Sequence, residues 1–431
     1  MTSAGLVGRG QEPEPERELD AARERQPGAT SLSGAPDGNA CEELVARAAE
    51  IGLRRVELVA WRDLDDPEAG GSELHSHRIA SRWAEAGLDV DFRTSAVPGQ
   101  PRTVERSGYR AVRRNGRYSV FPAIAWEGLR STREADALVE VWNGMPFFSP
   151  VWFRGPRLVF LHHVHAEMWG MVLPRSLAAL GRTVESLLAP VLYRRSRIVT
   201  LSHSSREEIV SMLRIPERLV SVVPPGVDPA FTAEGERSSQ PLVVAVGRLV
   251  PVKRFDMLIE ALALAREKRP DLKAVIIGEG YERDRLEQMR RDFDATQWLE
   301  LPGHVSQQEL RAWYRRAWVV ASTSLREGWG MTLTEAGACG TPAVASRIAG
   351  HRDAVVDGST GLLADGVEDV AAALSRLLGD DLLRSRLGRA AEHYARSFSW
   401  DATAARTLEA LVDEAAGSSS LRRVGSAAVD L

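Results

Sequence analysis

Two glutamates in the stretch SLREGWGMTLTEAGACGTPAVAS, residues 324–346, could act on one ligand: Glu327 and Glu335, with Gly328 and Gly330 between them. A carboxylate can accept paired hydrogen bonds from vicinal hydroxyls, such as those of a ribose or a hexose. The glycines let the backbone approach a ligand, and a helix starting near Met331 would offer free N–H donors to an anion. The pair reads as two hydroxyl grips either side of a phosphate cradle. A helix-terminal glutamate beside a surface glutamate is the alternative. A second group lies upstream in LVVAVGRLVPVKR, residues 242–254, where Gly247 and Arg248 end an apolar run and Lys253 stands before a helical one. Cations at a strand's carboxyl end, beside a helix start, suit a phosphate. A solvated charge pair is the plainer reading.

A third group is HHVH, with His162, His163 and His165. It could be a partly buried polar turn, a metal site completed by a ligand such as Glu167, or an active-site hydrogen-bonding histidine. The two cysteines, Cys41 and Cys339, make neither a disulfide framework nor a cysteine-rich metal site.

Elements must hold these groups in place. The 431 residues exceed what one core usually fills, so two domains are expected. Hydrophobic residues are 44% and charged residues 26%, ordinary globular values, and the formal net charge of -4 gives no electrostatic case for nucleic acid. No apolar signal core opens the chain and no apolar run nears ~18 residues, so a cytoplasmic protein is expected, with contact at the inner membrane surface left open. Residues 1–40, rich in Gly, Pro, Glu, Arg and Ser, are expected to be a disordered extension, and residues 417–431 a flexible tail. In between, short apolar runs alternate with amphipathic stretches, the pattern of parallel sheets flanked by helices. Strands are expected at 56–61, 137–142, 157–162 and 197–202. After a Pro- and Gly-rich break they resume at 242–247, 273–280, 318–323 and 341–346. The expectation is an α/β chain of two doubly wound, Rossmann-like domains, 41–232 and 233–398, facing across a cleft.

VAVGRLVPVKRFDMLIEAL, VIIGEG, LPGHV and EGWGMTLTEAGACGTPAVAS occur in the order and spacing of the retaining glycosyltransferases of the GT-B fold, family four. The resemblance covers nearly all of the second domain. In the first, AGGSELHSHRIASRWAEAGLDV is similar to that family's glycine loop and helix, and RLVFLHHVHAEMW to its acceptor-side histidine strand. SFSWDATAARTLEALVDEA resembles its terminal helix, here at 399–416, which packs back on the first domain. The resemblance implies a nucleotide-sugar donor as substrate, no cofactor and no metal. It implies a glycan, lipid-linked or small-molecule acceptor on the first domain's side. Arg248 and Lys253 would hold the diphosphate, Glu335 the ribose and Glu327 the sugar hydroxyls. Gly70, Gly71, Gly247, Gly328, Trp329, Gly330 and Met331 would line the donor, Gly278 would approach the ribose or base, and Val305 would touch the base through its backbone. Trp329 stands where the family often has Phe. One histidine, His162 with His163 as the other register, would lie by the transferred sugar.

Other features carry weaker readings. DLDD, with Asp63, Asp65 and Asp66, mimics the Asp-x-Asp metal motif of the other glycosyltransferase fold, but it precedes a glycine loop foreign to that fold. Residues 102–120 read as a solvated hairpin around RNGR. Residues 174–195 are amphipathic with basic ends; they either pack on the sheet or rest on a membrane surface. A phosphorylase, an epimerase or a non-catalytic nucleotide-sugar binder are the rival functions. No G-x-G-x-x-G follows the first strand of either domain, which argues against a dinucleotide dehydrogenase.

Overall fold

A computed structural model describes residues 39–130 and 135–427. The first domain holds an eight-stranded sheet in the order β3-β4-β2-β1-β5-β6-β7-β8. Its strands are β1 (Arg55–Val59), β2 (Asp89–Thr94), β3 (Thr103–Arg106), β4 (Tyr109–Arg113), β5 (Ala137–Val141), β6 (Arg157–Phe160), β7 (Arg197–Thr200) and β8 (Val220–Val222). All pairs are parallel except β3 with β4. The second domain holds six parallel strands in the order β11-β10-β9-β12-β13-β14. These are β9 (Leu242–Val246), β10 (Lys273–Ile277), β11 (Leu299–Gly303), β12 (Val319–Ser322), β13 (Ala343–Ser346) and β14 (Gly361–Ala364).

The apolar runs follow from burial on both faces. Along β9, Val243 and Ala245 enter one core cluster, whereas Leu242 and Val244 enter another on the opposite face. A strand covered twice cannot alternate apolar with polar, so it reads as a continuous apolar run. The helix Phe255–Lys268 buries Phe255, Leu258, Ile259, Leu262 and Ala265 against the first of these clusters, at the spacing of one helical face. Each of the four larger side chains stabilises the fold by roughly 1.5–3 kcal/mol.

The chain crosses between domains twice, through residues 223–241 and again near residue 398. The last helix, Trp400–Ala427, returns to the first domain and places Ala404, Leu408, Leu411 and Val412 in its core. Trp83 donates its indole N–H to the Ala404 carbonyl at 2.9 Å. This helix runs on past residue 416, where a tail was expected; once its first turns are packed, each further residue adds a hydrogen bond at little cost. The expected disordered extension falls, but for Asn39 and Ala40, outside the described residues.

The hairpin at 102–120 differs from expectation. Its turn is Ser107–Gly108, with φ of 43° and 83°, and not RNGR. Two successive residues with positive φ suit a tight turn between twisted strands. Nor is it simply solvated, because Arg113 is 1% exposed. Arg113 and Arg106 donate to Asp63 at 2.7 and 2.9 Å, and both reach Asp65. The carboxylates of DLDD therefore clamp the hairpin to the end of β1.

Candidate active site

The loops at the carboxyl ends of β1 and β6 meet those after β9 and β12. Gly328 marks how close they come: a Cβ there would stand 2.4 Å from the His162 carbonyl oxygen, so only glycine fits. Gly70 lies opposite Arg248, with 3.5 Å between its Cβ position and the guanidinium Nε, and Gly71 lies opposite the Met331 sulfur. Glu73 accepts the Gly70 N–H at 2.7 Å, which fixes this loop where the helix Gly71–Glu85 begins.

In the second domain, Lys253 ends a short 3₁₀ turn, Pro251–Lys253. The loop after β12 is laced to that turn, with Leu325 N–H on the Val252 carbonyl and the Thr323 hydroxyl on the Arg254 carbonyl, both at 2.8 Å. This places Glu327 in an ion pair with Lys253, and the Ser324 hydroxyl donates to the same carboxylate at 2.9 Å. Burial would raise the Glu327 carboxyl, but Lys253, His351 and Ser324 outweigh it and bring it to about 2. Glu327 is therefore an anion at every ordinary pH. Arg248 is half-buried and makes no ion pair among the described residues. A guanidinium in that position, beside the buried Arg62, is able to bind an anion.

Glu335 stands apart, on the helix Met331–Ala338 that Gly330 caps, and accepts a hydrogen bond from the Tyr314 hydroxyl at 3.3 Å. Burial pushes its carboxyl up to about 7, with Tyr314 opposing and Asp228 adding to the rise. The two glutamates thus have different partners and opposite electrostatic settings.

Trp329 is 3% exposed and packs edge-on against Phe398, with its N–H on Thr334. Its ring belongs to the core, so any part Trp329 takes in lining a ligand falls to its backbone. Gly278 has φ of 143°, and a Cβ there would lie 1.9 Å from the Gly247 carbonyl oxygen, so close packing of two loops explains Gly278; a Cβ at Gly247 would meet only the Lys253 and Phe255 side chains, at 3.3–3.5 Å. Val305 follows β11 and packs on the second domain's core along with Met331.

The histidines separate. His162 Nε2 meets His75 Nδ1 at 3.1 Å, and its ring is turned into the first domain. His163 and His165 stack on each other with centroids 5.2 Å apart. His163 lies within electrostatic reach of Glu327, Arg326, Lys253 and Arg248; burial lowers it to about 4, so it is neutral at pH 7. The cleft-facing register is thus His163, next to His165, and the ring of His162 is committed to His75. Glu167 does not join them as a ligand; it pairs with Arg326 at 2.9 Å.

Three participants escaped sequence reasoning. His351 bonds the Ser346 carbonyl at 3.0 Å and Ser322 at 3.3 Å, beneath Gly330. Arg326 reaches across the cleft to Glu167 and Glu208. Asp353 accepts the N–H groups of His203 and Ser204 at 2.9 and 3.2 Å. None sits in a spacing that signals a role. Only their proximity in the fold reveals them.

Comparison with known proteins bears on the family and the fold. The profile of the family described as Glycosyl transferases group 1 matches residues 228–394, and that of Glycosyltransferase Family 4 matches residues 69–231. The chain is similar to the D-inositol 3-phosphate glycosyltransferase of Pseudarthrobacter chlorophenolicus, 30% identical over 402 residues, covering 83% of this chain and 94% of that one. A protein of the same name from Paenarthrobacter aurescens is 30% identical over 390 residues, covering 81% and 94%. Among solved structures, sucrose-phosphate synthase from Thermosynechococcus elongatus shares the fold, with a TM-score of 0.69 at 20% identity over 82% of this chain and 97% of that one. So does Anabaena HepE in complex with UDP-glucose, with a TM-score of 0.65 at 17% identity over 83% and 99%.

Proposed function

The chain belongs to the group 1, family 4 glycosyltransferases of the GT-B fold, and from that premise we propose that it moves a sugar from a nucleotide-sugar donor to an acceptor hydroxyl with retention at the anomeric carbon. One observation carries the donor reading: Arg248 stands half-buried at the cleft with no ion-pair partner among the described residues, facing the glycine loop of the other domain. A diphosphate would supply its missing charge. Lys253 would join once the sugar's hydroxyls engage Glu327. Both cations, with nearby backbone N–H groups, would stabilise the charge that develops as the nucleoside diphosphate departs. In this reading two cations serve where other enzymes use a metal ion. Glu335 would take the ribose hydroxyls. His163, neutral and with a lowered pKa, is a poor proton acceptor at pH 7 and serves as a hydrogen-bonding partner to the sugar, which favours retention over an inverting general base.

A similar solved structure holds UDP-glucose and similar proteins are named for an inositol phosphate, so a uridine donor and a small phosphorylated polyol are the first substrates to test. Among the described residues no helix is long and apolar enough to cross a membrane. Two free cysteines suit a reducing compartment, and we place the reaction in the cytoplasm. The test is a thermal-shift panel of nucleotide sugars, followed by proton NMR of the first product. A true donor raises the melting temperature, and an α-linked donor gives an α-linked product. A β-linked product would overturn retention, and turnover with inorganic phosphate alone would make the enzyme a phosphorylase.

A further inference from the structure

One buried cation has no part in the reaction as described so far. Arg62 follows β1 at its carboxyl end and is 2% exposed. Its Nε lies 3.3 Å from the Glu73 carboxylate. Its Nη1 donates to the Glu68 carbonyl at 2.8 Å and reaches the Glu68 carboxylate at 3.4 Å. Nη2 has no hydrogen-bond or ion-pair partner among the described residues. The Trp61 ring lies against the guanidinium, 4.2 Å from its central carbon, and limits how the fork can turn. From Arg62 a short path leads to the other domain. The Glu73 carboxylate also accepts the Gly70 N–H at 2.7 Å, and the Cβ position of Gly70 stands 3.5 Å from Arg248 Nε. Two guanidiniums, one from each domain, thus flank the glycine loop, with the Glu73 carboxylate beside both. Burial lowers the Arg62 guanidinium from its ordinary value, Glu73 opposes the fall, and the like charge of Arg248 adds to it. His165 lies within electrostatic reach of both arginines, which puts them at the cleft. The helix Gly71–Glu85 begins beside them, and its first-turn N–H groups favour an anion.

We propose that Arg62 is a further catalytic residue, whose free nitrogen binds the donor's diphosphate from the first domain's side, opposite Arg248. This inference rests on the donor reading above. A buried guanidinium nitrogen without an acceptor is costly, and a phosphate oxygen supplies one. A diphosphate is long enough to meet both arginines, whereas a monophosphate meets one. Arg62 forms no bond and moves no proton. It adds positive charge where the departing nucleoside diphosphate gains negative charge. The plainer role for Arg62 is to tie Glu68 and Glu73 together, and the two roles differ in what happens when the buried pair is removed as a whole.

The experiment is calorimetry with the di- and monophosphates of uridine, guanosine and adenosine. The diphosphate that the parent binds most tightly is compared with its monophosphate. Arg62→Gln should weaken the diphosphate by about tenfold or more and leave the monophosphate unchanged. That variant leaves Glu73 buried without its partner, so the double variant Arg62→Met, Glu73→Gln serves as well. It removes both charges, its amide oxygen still accepts the Gly70 N–H, and its melting temperature should match the parent's. It should show the same loss of diphosphate affinity. Glu73→Gln alone leaves the charge of Arg62 uncompensated and should bind the diphosphate at least as tightly as the parent. Parental diphosphate affinity in the folded double variant would overturn the proposal. So would an equal loss for the monophosphate, or a loss confined to a phosphorylated acceptor. Arg248→Ala separates the failures. If it loses diphosphate affinity while the Arg62 variants do not, the donor reading stands and this inference falls. If neither arginine matters, or the parent binds no diphosphate, both fall.

Discussion

Arg248 and Lys253 leave different things behind when removed. Arg248→Ala deletes a cation with no ion-pair partner among the described residues and relieves its repulsion with Arg62, so stability should hold or rise. Turnover should fall at least ~100-fold, the effect of losing one charge-stabilising group. Lys253→Ala should fall as far, and it also strands the carboxylate of Glu327, so its melting temperature should drop. Steady-state rates and thermal melts on the two variants separate these outcomes; near-normal turnover in Arg248→Ala would move the diphosphate elsewhere. Glu335 gives a pH test. Its carboxyl titrates at about 7 in the folded chain against an ordinary 4.5. Folding therefore favours the protonated form: the contribution is complete below pH 4.5 and is lost as pH rises through 7. Glu335→Gln should accordingly melt higher than the parent at pH 8 and no higher at pH 4. Nucleotide affinity in the parent should rise as pH passes 7, because the ionised group is the better ribose acceptor, and calorimetry on Glu335→Gln should find that dependence flattened.

Among the elements, the β3–β4 hairpin shows what ion pairs do when buried. Asp63 is 0% exposed and accepts from two arginines. Asp63→Ala should cost about 1.5–3 kcal/mol, because Arg113 and Arg106 each lose a buried carboxylate partner and keep only the more exposed Asp65. Denaturant midpoints will measure this, and added manganese should change neither stability nor activity. A metal-dependent rescue of activity would return DLDD to the site. The hairpin also shows where the sequence was legible. Strands buried on both faces announced themselves, as LVVAVG did for β9. Edge strands did not: β3 reads TVER and β4 YRAVR, polar runs whose pairing depends on Asp63 and Asp65, some 40 residues earlier in the chain. The same limit applies at the site. Gly328, Glu327 and Lys253 stand in recognisable local patterns, whereas the choice of His163 over His162 depends on His75, from another element, occupying the latter's Nε2.

For the whole molecule, ion pairs and caps join the two domains beside apolar contacts such as Leu201. Arg326 bridges to Glu167 and Glu208, and Asp353 caps the first-domain helix His203–Leu213, whose N-terminal N–H groups favour an anion. Exposed and half-exposed pairs of this kind are worth about 0.2–1 kcal/mol each. Arg326→Ala should therefore raise the donor KM several-fold with a smaller effect on kcat, and hydrogen exchange should quicken at residues 203–206. Unchanged exchange and KM would show that closure does not depend on this pair. The returning helix has a consequence for how the chain is made. The first domain's core includes Leu408, Leu411 and Val412. As the ribosome extends the chain, that domain emerges early but lacks one wall until the last helix follows. The second domain, whose clustered core ends by residue 398, is complete in sequence before it. Synthesis from the N-terminus thus finishes the later domain first. A nascent chain stalled before residue 400 would carry an open apolar groove along the helix Gly71–Glu85, a binding place for chaperones that closes once the helix Trp400–Ala427 packs there.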